Sequence, residues 1–173
     1  LRGPNNPEMA ACWFSVIKAG CIAVATMPLL RAMELKQILD KAQVSAALCD
    51  IRLAEDLETA KSQCPGLKQL LYFNSGRRGS LDDLLEFHPA EFRNVDTATD
   101  DVALIAFTSG TTGQPKGVML THRNFASLVA KLAGAFSLGA GDGLLSVLPM
   151  HHTFEFSCGF LMPFSRGAEV TYI

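Results

Sequence analysis

Between Ala32 and Phe73 the chain alternates helix, strand, helix, strand, and this alternation constrains the fold more than any other feature of the sequence. Residues 32–43 place Leu35, Ile38, Leu39 and Ala42 on one helical face, and the largely apolar run VSAALCD (44–50) has the length of a buried strand. Residues 52–63 return to a helical pattern, Cys64-Pro65-Gly66 stops it, and LKQLLYF (67–73) reads as the next strand. Strands separated by helices of this length are joined by crossovers, which give parallel pairing. The expected fold class is α/β, a mainly parallel β-sheet flanked by helices.

The flanking segments follow the same grammar. Asn6 can cap a first helix with Pro7 at its first position and Glu8 in its first turn, Gly20 can end it, and CIAVAT (21–26) reads as a buried strand. Ser80 and Asp83 fit a capping box for the short helix LDDLLEF. Residues 88–101 form the longest irregular segment and are expected to mark a subdomain boundary. Strand VALIAF, a glycine-rich loop and short strand VML come next, then a helix from His122 to about Phe136 capped by Thr121. SLGAGDG connects to strand LLSVL, which Pro149 ends; GAGDG precedes a strand instead of following one, so it lacks the context of a dinucleotide loop. LRGPNNPEM opens without an initiating methionine, and EVTYI ends inside what reads as a strand, so a piece of a longer chain is expected.

Composition narrows the function classes. A chain of 173 residues that is 49% hydrophobic and 18% charged can bury a core. Lysine and arginine total 15 against 17 acidic residues, so no broad basic face argues for nucleic acid. Cys12, Cys21, Cys49, Cys64 and Cys158 are widely spaced with no C-x-x-C, which fits buried apolar residues in a reducing, cytoplasmic setting better than a disulfide framework or zinc knuckle. The apolar stretch 11–30 is broken by Lys18, Gly20 and Pro28; no transmembrane segment is expected, and peripheral membrane association stays open.

The loop FTSGTTGQPKG (107–117) carries the chemistry. Gly110, Gly113 and Gly117 permit backbone angles and close approaches that would let consecutive amides converge on an anion. Thr108, Ser109, Thr111 and Thr112 add hydroxyl donors, Lys116 adds one mobile positive charge suited to a polyphosphate, and Pro115 stiffens the approach to it. The Gly-Lys-Ser/Thr ending of a Walker loop is missing, so P-loop mechanics are not implied.

TSGTTGQPKG followed by VMLTHRN resembles the phosphate-loop signature of the adenylate-forming superfamily, the acyl- and aryl-CoA synthetases, luciferases and peptide-synthetase adenylation domains. LPMHHTFEF (148–156) is similar to that family's Leu-Pro-x-x-His motif, in the same order and at a matching distance, with Glu155 where glycine is commoner. NNPEMAACWFSVIKAGCIAVATMPL is similar to the opening of the family's large domain. The resemblance implies part of a large N-terminal domain over residues 1–173, with the small C-terminal domain absent. It also implies attack of a carboxylate on the α-phosphorus of ATP with Mg2+, release of pyrophosphate, and capture of the acyl group by CoA.

On that resemblance Thr108, Ser109, Gly110, Thr111, Thr112, Gly113, Lys116 and Gly117 would bind the β- and γ-phosphates, and Lys116 would steady the leaving pyrophosphate. His152 would line the pocket beside the reacting carboxylate, whereas His151 reads as structural. The acidic magnesium ligand, the adenine- and ribose-binding residues and the C-terminal lysine would lie beyond Ile173, so these residues alone would not complete the reaction. His152 and Glu155 also make an H-x-x-E pair, but no third ligand accompanies them and no metal site is expected. The substrate reads as a small-molecule carboxylic acid. LPMHHTFEFSCGFLMP favours a fatty acid, ATMPLLRAMELKQILDKAQ and DTATDDVALIAF resemble benzoate- and aminobenzoate-type ligases, and a truncated nucleotide-binding module is the non-enzymatic alternative. Met150, Phe154, Phe156, Phe160, Met162 and Phe164 are read mostly as core.

Overall fold

Asn6 starts the first helix as the sequence requires. In the computed structural model, which describes residues 1–108 and 114–173, its Oδ1 accepts from the Met9 amide at 2.7 Å and α1 runs Pro7–Lys18. The chain leaves that helix through Gly20, whose φ of +69° is a left-handed value that glycine adopts without strain. Helix α2 (Ala32–Lys41), strand β1 (Ala46–Asp50), a 3₁₀ turn (Ile51–Leu53), helix α3 (Ala54–Lys61) and strand β2 (Gln69–Phe73) follow. Strands β1 and β2 pair in parallel, Ala46 opposite Gln69 through Asp50 opposite Phe73, as the crossover argument demands.

The two faces of this sheet separate cleanly by strand parity. Ala47 and Cys49 pack with Leu35 and Leu39 of α2 and Leu57 and Ala60 of α3, while Leu48 and Phe73 join the cluster under α1 with Met9 and Trp13. Helices therefore cover both sides. Downstream lie α4 (Leu81–Phe87), β3 (Val102–Thr108), β4 (Lys116–Thr121), α5 (His122–Ala135), β5 (Gly143–Ser146) and β6 (Glu169–Tyr172), with β5 and β6 parallel. Residues 88–101 contain neither helix nor strand, and the α1 cluster takes residues from both sides of them, including Ala103, Leu104 and Phe125.

Residues 21–26 depart from expectation: they form no continuous strand, only isolated parallel bridges, Ala23 to Leu104 and Thr26 to Arg2. They nevertheless stitch the sheets together. The Ala23 amide donates to Ala103 O at 2.9 Å, the Ile105 amide donates to Ala23 O at 2.9 Å, and the Thr26 amide donates to Leu1 O at 3.0 Å. Arg2 continues to β1 through its amide on Leu48 O and the Asp50 amide on its own carbonyl. The order across the molecule is thus β2, β1, residues 1–2, residues 23–26, β3, β4. The Arg2 guanidinium, buried on this seam, donates to the carbonyls of Met27, Pro28, Leu30 and Leu53 and pins the turn after residue 26.

Further corrections concern local elements. Strand β4 begins at Lys116, two residues before the expected VML, and pairs antiparallel with β3, since a hairpin and not a crossover joins them. Ser80 caps α4, but the Asp83 carboxylate accepts from the Gly79 amide instead of closing the box on Ser80. Residues 153–165 are helical throughout, as α6 (Thr153–Glu155), a π-helical stretch (Phe156–Leu161) and α7 (Met162–Ser165). Met150, Phe156, Phe160 and Met162 are core, whereas Phe154 and Phe164 are exposed. Cys12, Cys49 and Cys64 are buried as expected; Cys21 is exposed and Cys158 half-buried.

Candidate functional site

The β3–β4 hairpin delivers the ends of the glycine-threonine loop. Thr108 closes β3, Lys116 opens β4, and the two are direct cross-strand partners, so the loop leaves and returns at one point on the sheet rim. Lys116 is therefore a strand residue and not a loop residue. It is exposed, and no carboxylate among the described residues is paired with it. The exit is tethered from outside, because Lys41 Nζ at the end of α2 donates to Pro115 O at 2.8 Å. Ser109, Gly110, Thr111, Thr112 and Gly113 lie outside the described residues.

Gly117 has a packing reason for being glycine. A Cβ there would stand 2.9 Å from Ile105 Cγ2 and 3.3 Å from Phe107 Cζ, so any side chain would force those two side chains to shift. Beyond β4, Thr121 caps α5, its Oγ1 accepting from the Asn124 amide at 3.3 Å while Asn124 Oδ1 accepts from the Thr121 amide at 2.9 Å.

The histidine turn follows β5. His152 is the N-cap of α6, and its Nδ1 accepts from the Phe154 amide at 3.2 Å. With Nδ1 occupied as an acceptor, the neutral ring carries its proton on Nε2. The side chain is exposed, so Nε2 is available to a ligand. His151 is half-buried, and burial, with the neighbouring His152 adding to it, lowers its pKa below the ordinary imidazole value.

Asn5 and Ser146, which no sequence pattern singles out, join Glu155 around this turn. Asn5 Nδ2 donates to Leu148 O at 2.7 Å and to Ser146 Oγ at 3.2 Å, and Asn5 Oδ1 accepts from the Met150 amide at 2.8 Å. Ser146 Oγ donates to Glu155 Oε1 at 2.6 Å, with Ser146 fully buried and Glu155 only 5% exposed. The Asn5 contacts cross 141 to 145 positions of sequence, which is why no local pattern announces them. Among the described residues no group of three or more His, Cys, Asp or Glu is placed to hold a metal ion. Among them, also, no helix is long and apolar enough to cross a membrane.

A family model described as AMP-binding enzyme matches residues 1–173. The chain is 30% identical to rat (Rattus norvegicus) long-chain-fatty-acid–CoA ligase 5 over 94% of its own length and 28% of that protein's. It is 29% identical to rice (Oryza sativa subsp. japonica) 4-coumarate–CoA ligase 1 over 96% of its length and 31% of the relative's. Superposition on a long-chain-fatty-acid–CoA ligase from Archaeoglobus fulgidus gives a TM-score of 0.87 at 27% identity, covering 96% of this chain and 33% of that one. The chain thus spans about a third or less of the length of these proteins.

Proposed function

The chain belongs to the AMP-binding enzyme family, and from that premise we propose that the full-length protein activates a carboxylic acid as its acyl-adenylate and transfers the acyl group to CoA. The observation that carries this reading is the hairpin: an exposed lysine without a carboxylate partner among the described residues stands across from Thr108 where the glycine-threonine loop rejoins the sheet. A carboxylate oxygen bonds to the α-phosphorus of ATP as the bond to the β-phosphate bridging oxygen breaks, and pyrophosphate departs. The CoA thiolate then attacks the acyl carbon and displaces AMP.

In this proposal Lys116 offsets charge that grows on pyrophosphate as it leaves, an electrostatic role that needs a cation held at the loop exit and no covalent chemistry. Thr108, the loop through Gly113 and Gly117 hold the β- and γ-phosphates. His152 presents Nε2–H beside the reacting carboxylate. Mg2+ would share the phosphate charge when bound.

A fatty acid is the proposed substrate class, supported by the likeness to long-chain-fatty-acid–CoA ligase 5 over nearly the whole chain. An aryl acid is the second reading, supported by the likeness to 4-coumarate–CoA ligase 1. The proposed location is the cytoplasm, in keeping with five free cysteines, and residues 88–101 are proposed as a boundary between subdomains. ATP–pyrophosphate exchange by the full-length protein across fatty, aryl and amino acids tests the reading; exchange with none of them refutes it. Replacing Lys116 by alanine should slow exchange by about a hundredfold, as loss of one preorganised charge partner does elsewhere, and unchanged kinetics would remove its role.

A further inference from the structure

We infer that Asn5, Ser146 and Glu155 form a brace that sets the position of His152, which makes them positioning residues for the acyl half of the site; the inference rests on the adenylation reading above. The turn between β5 and α6 has Pro149 at its centre, and proline has no amide to give to a ladder. Asn5 takes the place of that missing order. One side-chain amide binds the backbone on both sides of the proline, donating to Leu148 O at 2.7 Å and accepting from the Met150 amide at 2.8 Å.

The other side of the turn is held by Glu155. It lies three residues after His152, and its carboxylate accepts from Ser146 Oγ at 2.6 Å, tying the start of the helix back to the end of β5. Asn5 Nδ2 closes the circuit on Ser146 at 3.2 Å. His152 therefore sits between two fixed points, with the Phe156 amide donating to its carbonyl at 3.0 Å and its ring oriented by the Phe154 amide. Room for the carboxylate is provided one helical turn on, where a Cβ on Gly159 would fall directly on the Glu155 side chain. A buried carboxylate with one hydroxyl donor is a poor choice for stability alone, since an apolar residue would cost no desolvation. It is a good choice for fixing a turn in one geometry.

The brace predicts a pattern that general destabilisation does not. In the full-length protein, Asn5→Ala and Glu155→Ala should each lower kcat/KM for the carboxylate in ATP–pyrophosphate exchange by about tenfold or more, leaving KM for ATP within about twofold. Glu155→Gln keeps an acceptor oxygen for Ser146 and should retain activity to within about threefold, which separates bracing from a role for the negative charge. In a His152→Ala background, Asn5→Ala should add less than about twofold, because the residue it positions is gone. Multiplying effects, equal damage to ATP and carboxylate parameters, or Glu155→Gln as impaired as Glu155→Ala would each overturn the inference. Amide exchange of residues 148–152 gives a reading independent of catalysis: Asn5→Ala should expose the Met150 amide while α1 stays protected. Unaltered exchange there overturns the brace even in an active enzyme, whereas wild-type inactivity on every acid with the expected exchange change would sink the adenylation reading and leave the brace standing.

Discussion

Replacing Asp50 by asparagine should destabilise the fold at neutral pH and remove much of its sensitivity to acid. Asp50 ends β1 with no exposed surface, and its carboxylate accepts from the Arg52 amide at 3.0 Å, Arg52 Nε at 2.8 Å and Nη2 at 2.6 Å, Asn74 Nδ2 at 3.0 Å and Asn6 Nδ2 at 3.3 Å. Burial alone would raise its pKa. The Arg52 and Asn74 side chains, the Arg52 amide and the Arg52 charge outweigh it and bring the carboxyl to about 2.

A carboxyl titrating near 3.8 in the unfolded chain and at about 2 in the folded one stabilises the fold by roughly 2.5 kcal/mol at pH 7. Because the folded value is depressed, this stabilisation is present above about pH 3.8 and is lost as pH falls through about 2. The amide introduced by the substitution cannot replace it, since it carries no charge for Arg52 and its NH₂, at a position with no exposed surface, would face the donors of Arg52, Asn6 and Asn74 without an acceptor. Urea denaturation of wild type and Asp50→Asn at pH 7 should therefore differ by roughly 2–3 kcal/mol, and the gap should narrow as pH is lowered from about 5 towards 2. A gap that stays constant or widens on acidification would refute the account, because the stabilisation would then not reside in the ionised carboxylate.

Two other perturbations follow from packing. Gly117→Ala should cost about 1–3 kcal/mol by forcing a Cβ against Ile105 and Phe107, visible as a lowered denaturation midpoint together with slower pyrophosphate exchange; a neutral result would mean those two side chains can move aside. Phe160→Ala should cost about 3–5 kcal/mol, since the ring is 1% exposed and meets Trp13, Phe14 and Phe156 at centroid distances of 6.1, 5.3 and 5.6 Å; calorimetry showing under about 1 kcal/mol would imply that the cluster collapses into the gap.

What is legible in the sequence is what local physics decides. The α1 cap at Asn6, the parallel pairing of β1 and β2 and the cap at Thr121 all rest on periodicity or on side chains three residues apart, and each appears where those rules put it. The apolar run 21–26 reads as a buried strand but is neither: only Ala23 and Thr26 are buried, Cys21 and Ile22 are exposed, and its bridges to β3 and residues 1–2 are too few to make a strand. The helix over 153–165 is hidden because its middle is π-helical, which blurs a 3.6-residue period. The loop motif is readable as a family signature, yet the start of β4 at Lys116 is not readable from it, since strand pairing, and not composition, decides where a loop ends.

The adjacent asparagines show why a site is harder to read than a fold. Asn6 announces itself through the helix it caps, and its amide is turned towards Asp50 at 3.3 Å, so one side chain joins the start of α1 to the end of β1. Asn5 has no local partner; its bonds run to residues 146, 148 and 150. Because the two are consecutive in the chain, the network that anchors Asn6 also fixes the backbone from which Asn5 reaches the histidine turn. Loss of Asp50 should then affect mainly stability and loss of Asn5 mainly the turn, and a double substitution should be more than additive in exchange of the Met150 amide. Strict additivity would mean that the fold holds the turn without help from the helix cap.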